Sequence, residues 1–119
     1  MVSDSGKRPP LSSATLHILL ALAGGDLHGY GIIQEVTRNS SGHYRLGPGT
    51  LYDNLKKLMD AGWVADAPSP RRKSTKEDDR RFYTLTRKGK DALAAEVDRL
   101  QSVVSKAKLR LQEARPGRA

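Results

Sequence analysis

The chain has 119 residues, 37% of them apolar, which suits one domain with a modest core and at most one appended element. Lys and Arg outnumber Asp and Glu by 21 to 13, giving a formal charge of +8 and a pI near 10.0, a balance that favours a polyanionic partner. The lack of cysteine excludes disulfides, thiolate chemistry and Cys-ligated zinc. His17, His28 and His43 show no ligand spacing, and the longest apolar run, residues 18–23, is too short to span a bilayer. A cytoplasmic protein with no cofactor, no metal, no membrane partner and no enzymatic role is expected.

Residues 1–10 carry two prolines and almost nothing to bury, so they read as a disordered arm. Ser12 or Ser13 caps a helix that runs to about residue 23, where Gly24-Gly25-Asp26 breaks it. Between residues 14 and 23 only Thr15 and His17 are polar, so this helix needs cover on more than one side. The chain's own core supplies one cover, and a second subunit, reached through Leu16, Leu19 and Leu20, supplies the other. A second helix follows in His28-Gly29-Tyr30-Gly31-Ile32, with Ile32, Ile33 and Val36 as its stripe and Ser40-Ser41-Gly42 as its end. Glycines 29 and 31 weaken its first turn by about 1 kcal/mol each relative to alanine. Something therefore comes close to that turn, either a phosphate or a packed neighbour.

Residues 46–62 form a third helix with its limits written in. Pro48 suits the first turn and Gly62 the left-handed position past the last. Leu51, Leu55, Leu58 and Met59 make one apolar stripe, while Thr50, Asp53, Asn54, Lys56 and Lys57 fall on other faces. Such a helix in a basic chain suits a reader of the DNA major groove. Asp53 would repel phosphate, so it is expected to face away from the backbone or to accept from a cytosine amino group.

Residues 63–67 and 80–85 read as two strands joined by a polar loop, residues 68–79, in which Arg71, Arg72 and Lys73 precede Glu77, Asp78 and Asp79. The predicted fold is mainly α with a two-stranded β wing, a winged helix-turn-helix over residues 11–85. Thr86 caps a final helix, residues 86–114, ahead of a tail at 115–119, despite Arg87, Lys88 and Lys90 facing the positive end of its dipole. Leu93, Val97, Leu100, Val104, Ala107 and Leu111 recur alternately four and three residues apart, a heptad seam that predicts a homodimer. The flanking positions lack complementary charge pairs and include the apolar Val103, so the first helix is expected to lie in the groove between the paired last helices.

His28-Gly29-Tyr30-Gly31-Ile32, then Leu46-Gly47-Pro48-Gly49-Thr50-Leu51-Tyr52, Gly62-Trp63-Val64, and Arg80-Arg81-Phe82-Tyr83-Thr84-Leu85-Thr86 with Gly89 stand in an order that resembles the PadR family of transcriptional regulators. The resemblance covers roughly residues 11–111 and is closest to members with a single C-terminal helix. It implies a winged-helix dimer on an inverted-repeat operator, usually a repressor, with Thr50 and Tyr52 at the DNA surface, Tyr30 near the backbone and Arg80 and Arg81 at the base of the wing. Some short members hold flat aromatic compounds between aromatic side chains at the dimer interface. Residues 86–114 contain no aromatic residue, which disfavours stacking of that kind while leaving room for an apolar effector.

The expected interface thus combines phosphate contacts from Lys57, Arg71, Arg72, Lys73, Arg80 and Arg81 with base contacts from the third helix, where Asn54 and Lys56 add donors. The rival reading is a winged-helix protein-interaction or RNA-binding module that uses the same basic face without operator specificity.

Overall fold

The computed structural model describes residues 9–68 and 81–113. Most of the N-terminal arm, the wing loop with Arg71, Arg72 and Lys73, the strand residue Arg80 and the tail lie outside the described residues. Helix α1 (Ser13–Ala23) begins where the Ser12 Oγ accepts the Thr15 N–H at 3.1 Å. It is followed by β1 (Leu27–His28), α2 (Gly29–Asn39), α3 (Pro48–Asp60), β2 (Val64–Ala67), β3 (Phe82–Leu85) and α4 (Arg87–Glu113). Residues Ser41 (φ 53°) and Gly42 (φ 81°) turn the chain out of α2.

The sheet has three strands where two were expected. Its order is β1-β3-β2, all antiparallel, with Leu27 opposite Tyr83, His28 opposite Phe82 and Asp66 opposite Tyr83 on the other side. The added strand has only two residues, too few to show alternation, and exists because β3 offers it a free edge. Helices α1 to α3 and the β2–β3 hairpin form a winged helix.

Its core joins Ile18, Leu19 and Leu22 of α1 to Ile32 and Val36 of α2, Leu51, Leu55 and Leu58 of α3, and Val64, Tyr83 and Leu85 of the sheet. Leu19 was expected at the subunit boundary; it is wholly buried inside its own chain. Leu20, by contrast, is 41% exposed, and Leu16 is half-buried. Trp63 packs against the core from its margin. His17 stacks on Tyr44 with ring centroids 4.7 Å apart, which fastens α1 to the segment between α2 and α3.

A compact joint sets α3 relative to α4. At the end of α3, Gly62 has φ 83°, the Trp63 N–H reaches the Leu58 carbonyl at 2.9 Å and the Gly62 N–H reaches that of Met59 at 3.0 Å. This is the double closure that a left-handed glycine makes possible. Thr86 Oγ1 then donates to the Gly62 carbonyl at 2.6 Å and accepts the Gly89 N–H at 3.0 Å, so one hydroxyl closes one helix and opens the next.

Farther along α4, the buried Glu96 carboxylate accepts from Arg99 Nε at 3.0 Å and Nη2 at 2.6 Å, and from the Leu11 backbone N–H at 3.4 Å. The Arg99 hydrogen bonds hold its pKa below the ordinary carboxylate value against the opposing effect of burial, with help from the Leu11 N–H. A lowered folded-state pKa contributes stability above the unfolded value, about 4.3 for a glutamate, and that contribution is lost as pH falls through the folded value. The melting temperature is therefore expected to drop on acidification through that window, and Glu96→Gln to flatten the drop. An unchanged acid limb in the variant would show that Glu96 is not the group responsible.

Candidate nucleic-acid interface

The amphipathic spacing of α3 divides it as its sequence requires. Leu51, Leu55 and Leu58 are buried, whereas Thr50, Tyr52, Asp53, Lys56 and Lys57 are exposed. Asn54 does not join that outer face. Its Nδ2 donates to the Thr50 carbonyl at 2.8 Å and its Oδ1 accepts from Thr15 Oγ1 at 3.4 Å, so it is half-buried against α1. It ties two helices together, with one of its two amide protons and its oxygen engaged within the domain.

Tyr52, half exposed, lies across the first turn of α2. A side chain at residue 29 would overlap its hydroxyl, so the close neighbour of that glycine-rich turn is Tyr52, a packed side chain. His28 caps the turn, its Nδ1 accepting the Gly31 N–H at 3.0 Å, and its ring meets Phe82 edge-on at 5.3 Å. The short strand β1 thus aims the N-terminus of α2, with its partial positive charge, toward the side occupied by Tyr52. Tyr30, on that first turn, is 62% exposed.

At the entry to β3, Arg81 donates to Asp66 Oδ1 from Nε at 3.1 Å and from Nη2 at 2.6 Å. Its guanidinium also lies over the Tyr83 ring, 5.3 Å from the centroid. Both members of the ion pair are well exposed, so the pair fixes orientation more than it stabilises the fold. Tyr83 is 3% exposed, and burial pushes its phenol above the ordinary value. His28, Gly29, Tyr30, Tyr52, Arg81 and Tyr83 line a hollow of about 490 Å³. A second, of about 420 Å³, shares Tyr52, Arg81 and Tyr83 and runs along Lys56 and Asp60.

The structure therefore brings Tyr30, Tyr52, Lys56 and Arg81 onto one side of the domain. His28, Asp66 and Tyr83 were not foreseen there. The opposite charges of Asp66 and Arg81 were visible in the sequence, but only the strand register brings them together.

The seam of α4 is largely bare. Val97, Val104 and Leu111 are 46%, 50% and 71% exposed, Val103 and Leu109 are 51% exposed each, and every residue from 101 to 113 is exposed. Leu93 alone of the seam packs on the core; Leu100 is half-buried and Ala107 is exposed. Among the described residues no helix is long and apolar enough to cross a membrane, and no cluster could hold a metal ion.

A sequence model of the transcriptional regulator PadR-like family matches residues 18–95. Among solved structures, the chain is similar to a PadR family transcription regulator from Clostridium difficile R20291, at 21% identity and TM-score 0.69, over 84% of this chain and 99% of that one. It is also similar to Bacillus subtilis PadR in complex with operator DNA, at 26% identity and TM-score 0.59, over 73% of this chain and 47% of that one. A third likeness is to RosR from H. salinarum, at 28% identity and TM-score 0.57, over 81% of this chain and 76% of that one. No curated protein matches the sequence. With the family pattern spanning most of the winged helix and the start of α4, the chain belongs to the PadR-like family of transcriptional regulators, and its role is regulatory, not enzymatic.

Proposed function

We propose that the chain is a homodimeric repressor that occupies an inverted-repeat operator, with α3 in the major groove and the wing beside it. The observation that carries this reading is the outer face of α3, where Thr50, Lys56 and Lys57 are exposed and Tyr52 is half exposed, over a buried leucine stripe. The operator complex of Bacillus subtilis PadR supports duplex DNA as the partner. Arg71, Arg72, Lys73 and Arg80 enter the proposal on their charge and their place in the wing, and Arg81 on its position at the wing's base.

The bare seam of α4 supports the dimer. Helices that touch nothing are marginal in water, and covering each half-exposed Val or Leu contributes roughly 1 kcal/mol. In the proposed dimer the exposed side of α1, with Leu16 and Leu20, lies against the partner's α4. An effector, if the cell uses one, would enter this apolar interface, and the protein would work in the cytoplasm where the DNA is.

Salt dependence tests the phosphate part of this reading. With about three phosphates neutralised per subunit, a plot of log affinity against log salt has a slope on the order of −5. A nearly flat plot, or equal affinity for the upstream region of its own gene and for a scrambled duplex, would favour the protein-interaction alternative.

A further inference from the structure

We propose that Thr15 of α1 and Asn54 of α3 are positioning residues for sequence reading, which together hold the first turn of α3 in the orientation that brings Thr50 to the base edges. This rests on the DNA-binding reading above and adds to it a polar link that acts from behind the reading face. The first turn of α3 needs such a hold. Gly47 gives the helix no side-chain cap, and a methyl group added at residue 47 or 49 would meet nothing within 4 Å, so the turn projects over open space. A recognition helix reads bases mainly with its N-terminal residues, which makes this sparsely backed turn the part whose orientation matters most. Leu51, Leu55 and Leu58 bury the helix, but the attraction behind apolar burial has no direction of its own.

A chain of hydrogen bonds supplies the direction. Asn54 Nδ2 donates to the Thr50 carbonyl at 2.8 Å, which turns the amide so that its Oδ1 faces α1, where Thr15 Oγ1 stands 3.4 Å away. The reverse setting of the amide would set two oxygens against each other. The Thr15 hydroxyl is directed as well. Ser12 Oγ accepts the Thr15 N–H at 3.1 Å and donates its own proton to Thr15 Oγ1 at 3.1 Å, which leaves the Thr15 proton for Asn54. At 3.4 Å the bond between the helices is long and contributes more to orientation than to stability. Its place in α1 gives it reach: Leu16 and Leu20 lie on the side of that helix turned to the partner in the proposed dimer, so the reading turn is registered to the partner-facing helix as well as to its own core.

The ratio of affinities for the region upstream of its own gene and for a scrambled duplex, measured by fluorescence anisotropy on the intact chain, tests the link. Thr15→Val keeps the shape of the side chain and removes the hydroxyl. It is expected to lower the ratio about threefold to tenfold, with scrambled-duplex affinity and sedimentation unchanged, since phosphate contacts carry no sequence information. Thr15→Ser keeps the hydroxyl and should keep the wild-type ratio. Asn54→Ala should fall at least as far as Thr15→Val, and adding Thr15→Val to it should lower the ratio no further, because the two residues form one link. Hydrogen exchange in the DNA-free protein gives a readout independent of any operator. The backbone amides of residues 51–54 should exchange about threefold to tenfold faster in Thr15→Val, and those of α2 at the wild-type rate. A wild-type ratio in Thr15→Val overturns the proposal, and if Asn54→Ala alone loses discrimination, Asn54 reads a base directly and the link is again overturned. If the wild type itself does not discriminate while exchange rises in Thr15→Val, the operator reading falls and the hold on α3 stands. If the wild type discriminates and Thr15→Val matches it in both ratio and exchange, the reading stands and the link falls.

Discussion

Replacing Gly89 by alanine is expected to lower the stability of the winged helix by about 3 kcal/mol or more. A methyl group at this position would overlap the Trp63 backbone carbonyl and stand 2.7 Å from Leu85 Cδ1. Neither neighbour can step aside cheaply, since Trp63 leads into β2 and Leu85 ends β3 within the core. The first turn of α4 would have to lift off the sheet, which breaks the joint that Thr86 makes between Gly62 and Gly89. Urea unfolding measures the loss. Gly49→Ala is the matched control: it sits in α3 with nothing within 4 Å of an added methyl, so alanine there should cost nothing and gain about 0.5–1 kcal/mol of helix stability. Similar midpoints for the two variants would mean that the close approach at Gly89 is not a constraint.

The second large effect concerns assembly. Val104 and Leu111 are exposed on the outer half of α4, so changing both to glutamate should leave each folded chain nearly as stable as before. In a paired seam the same change places charges where apolar side chains must meet. The double variant is expected to sediment as a monomer and to bind an inverted repeat at least about 100-fold more weakly, because two linked half-site contacts become one. A variant that still sediments as a dimer would show that the heptad seam is not the interface.

These outcomes separate what could be read from the chain from what could not. Ser12, Pro48, Gly62 and Thr86 act on their own helix ends, and each stands where its local chemistry requires. Strand β1 could not be read, because its two residues are a strand only through their pairing with Tyr83 and Phe82. Leu19 and Leu20 illustrate a different limit. A helix apolar on every side has no preferred face in its sequence, and only packing decides that Leu19 turns inward and Leu20 outward. Asn54 shows a related limit: its spacing puts it off the leucine stripe but not on which side of it, and only the fold brings Thr15 Oγ1 of α1 to donate to its amide oxygen. The Gly29 turn was legible as a close approach, while the identity of the neighbour, Tyr52, required the fold.

For the DNA-binding function, the deciding measurement is footprinting of the purified protein on the region upstream of its own gene. An inverted-repeat complex predicts two protected stretches whose centres lie about one helical turn, roughly 10 base pairs, or a multiple of it apart. Protection of a single asymmetric half-site would contradict the dimeric operator complex, and the absence of any pattern beyond that on scrambled DNA would contradict sequence-specific binding itself.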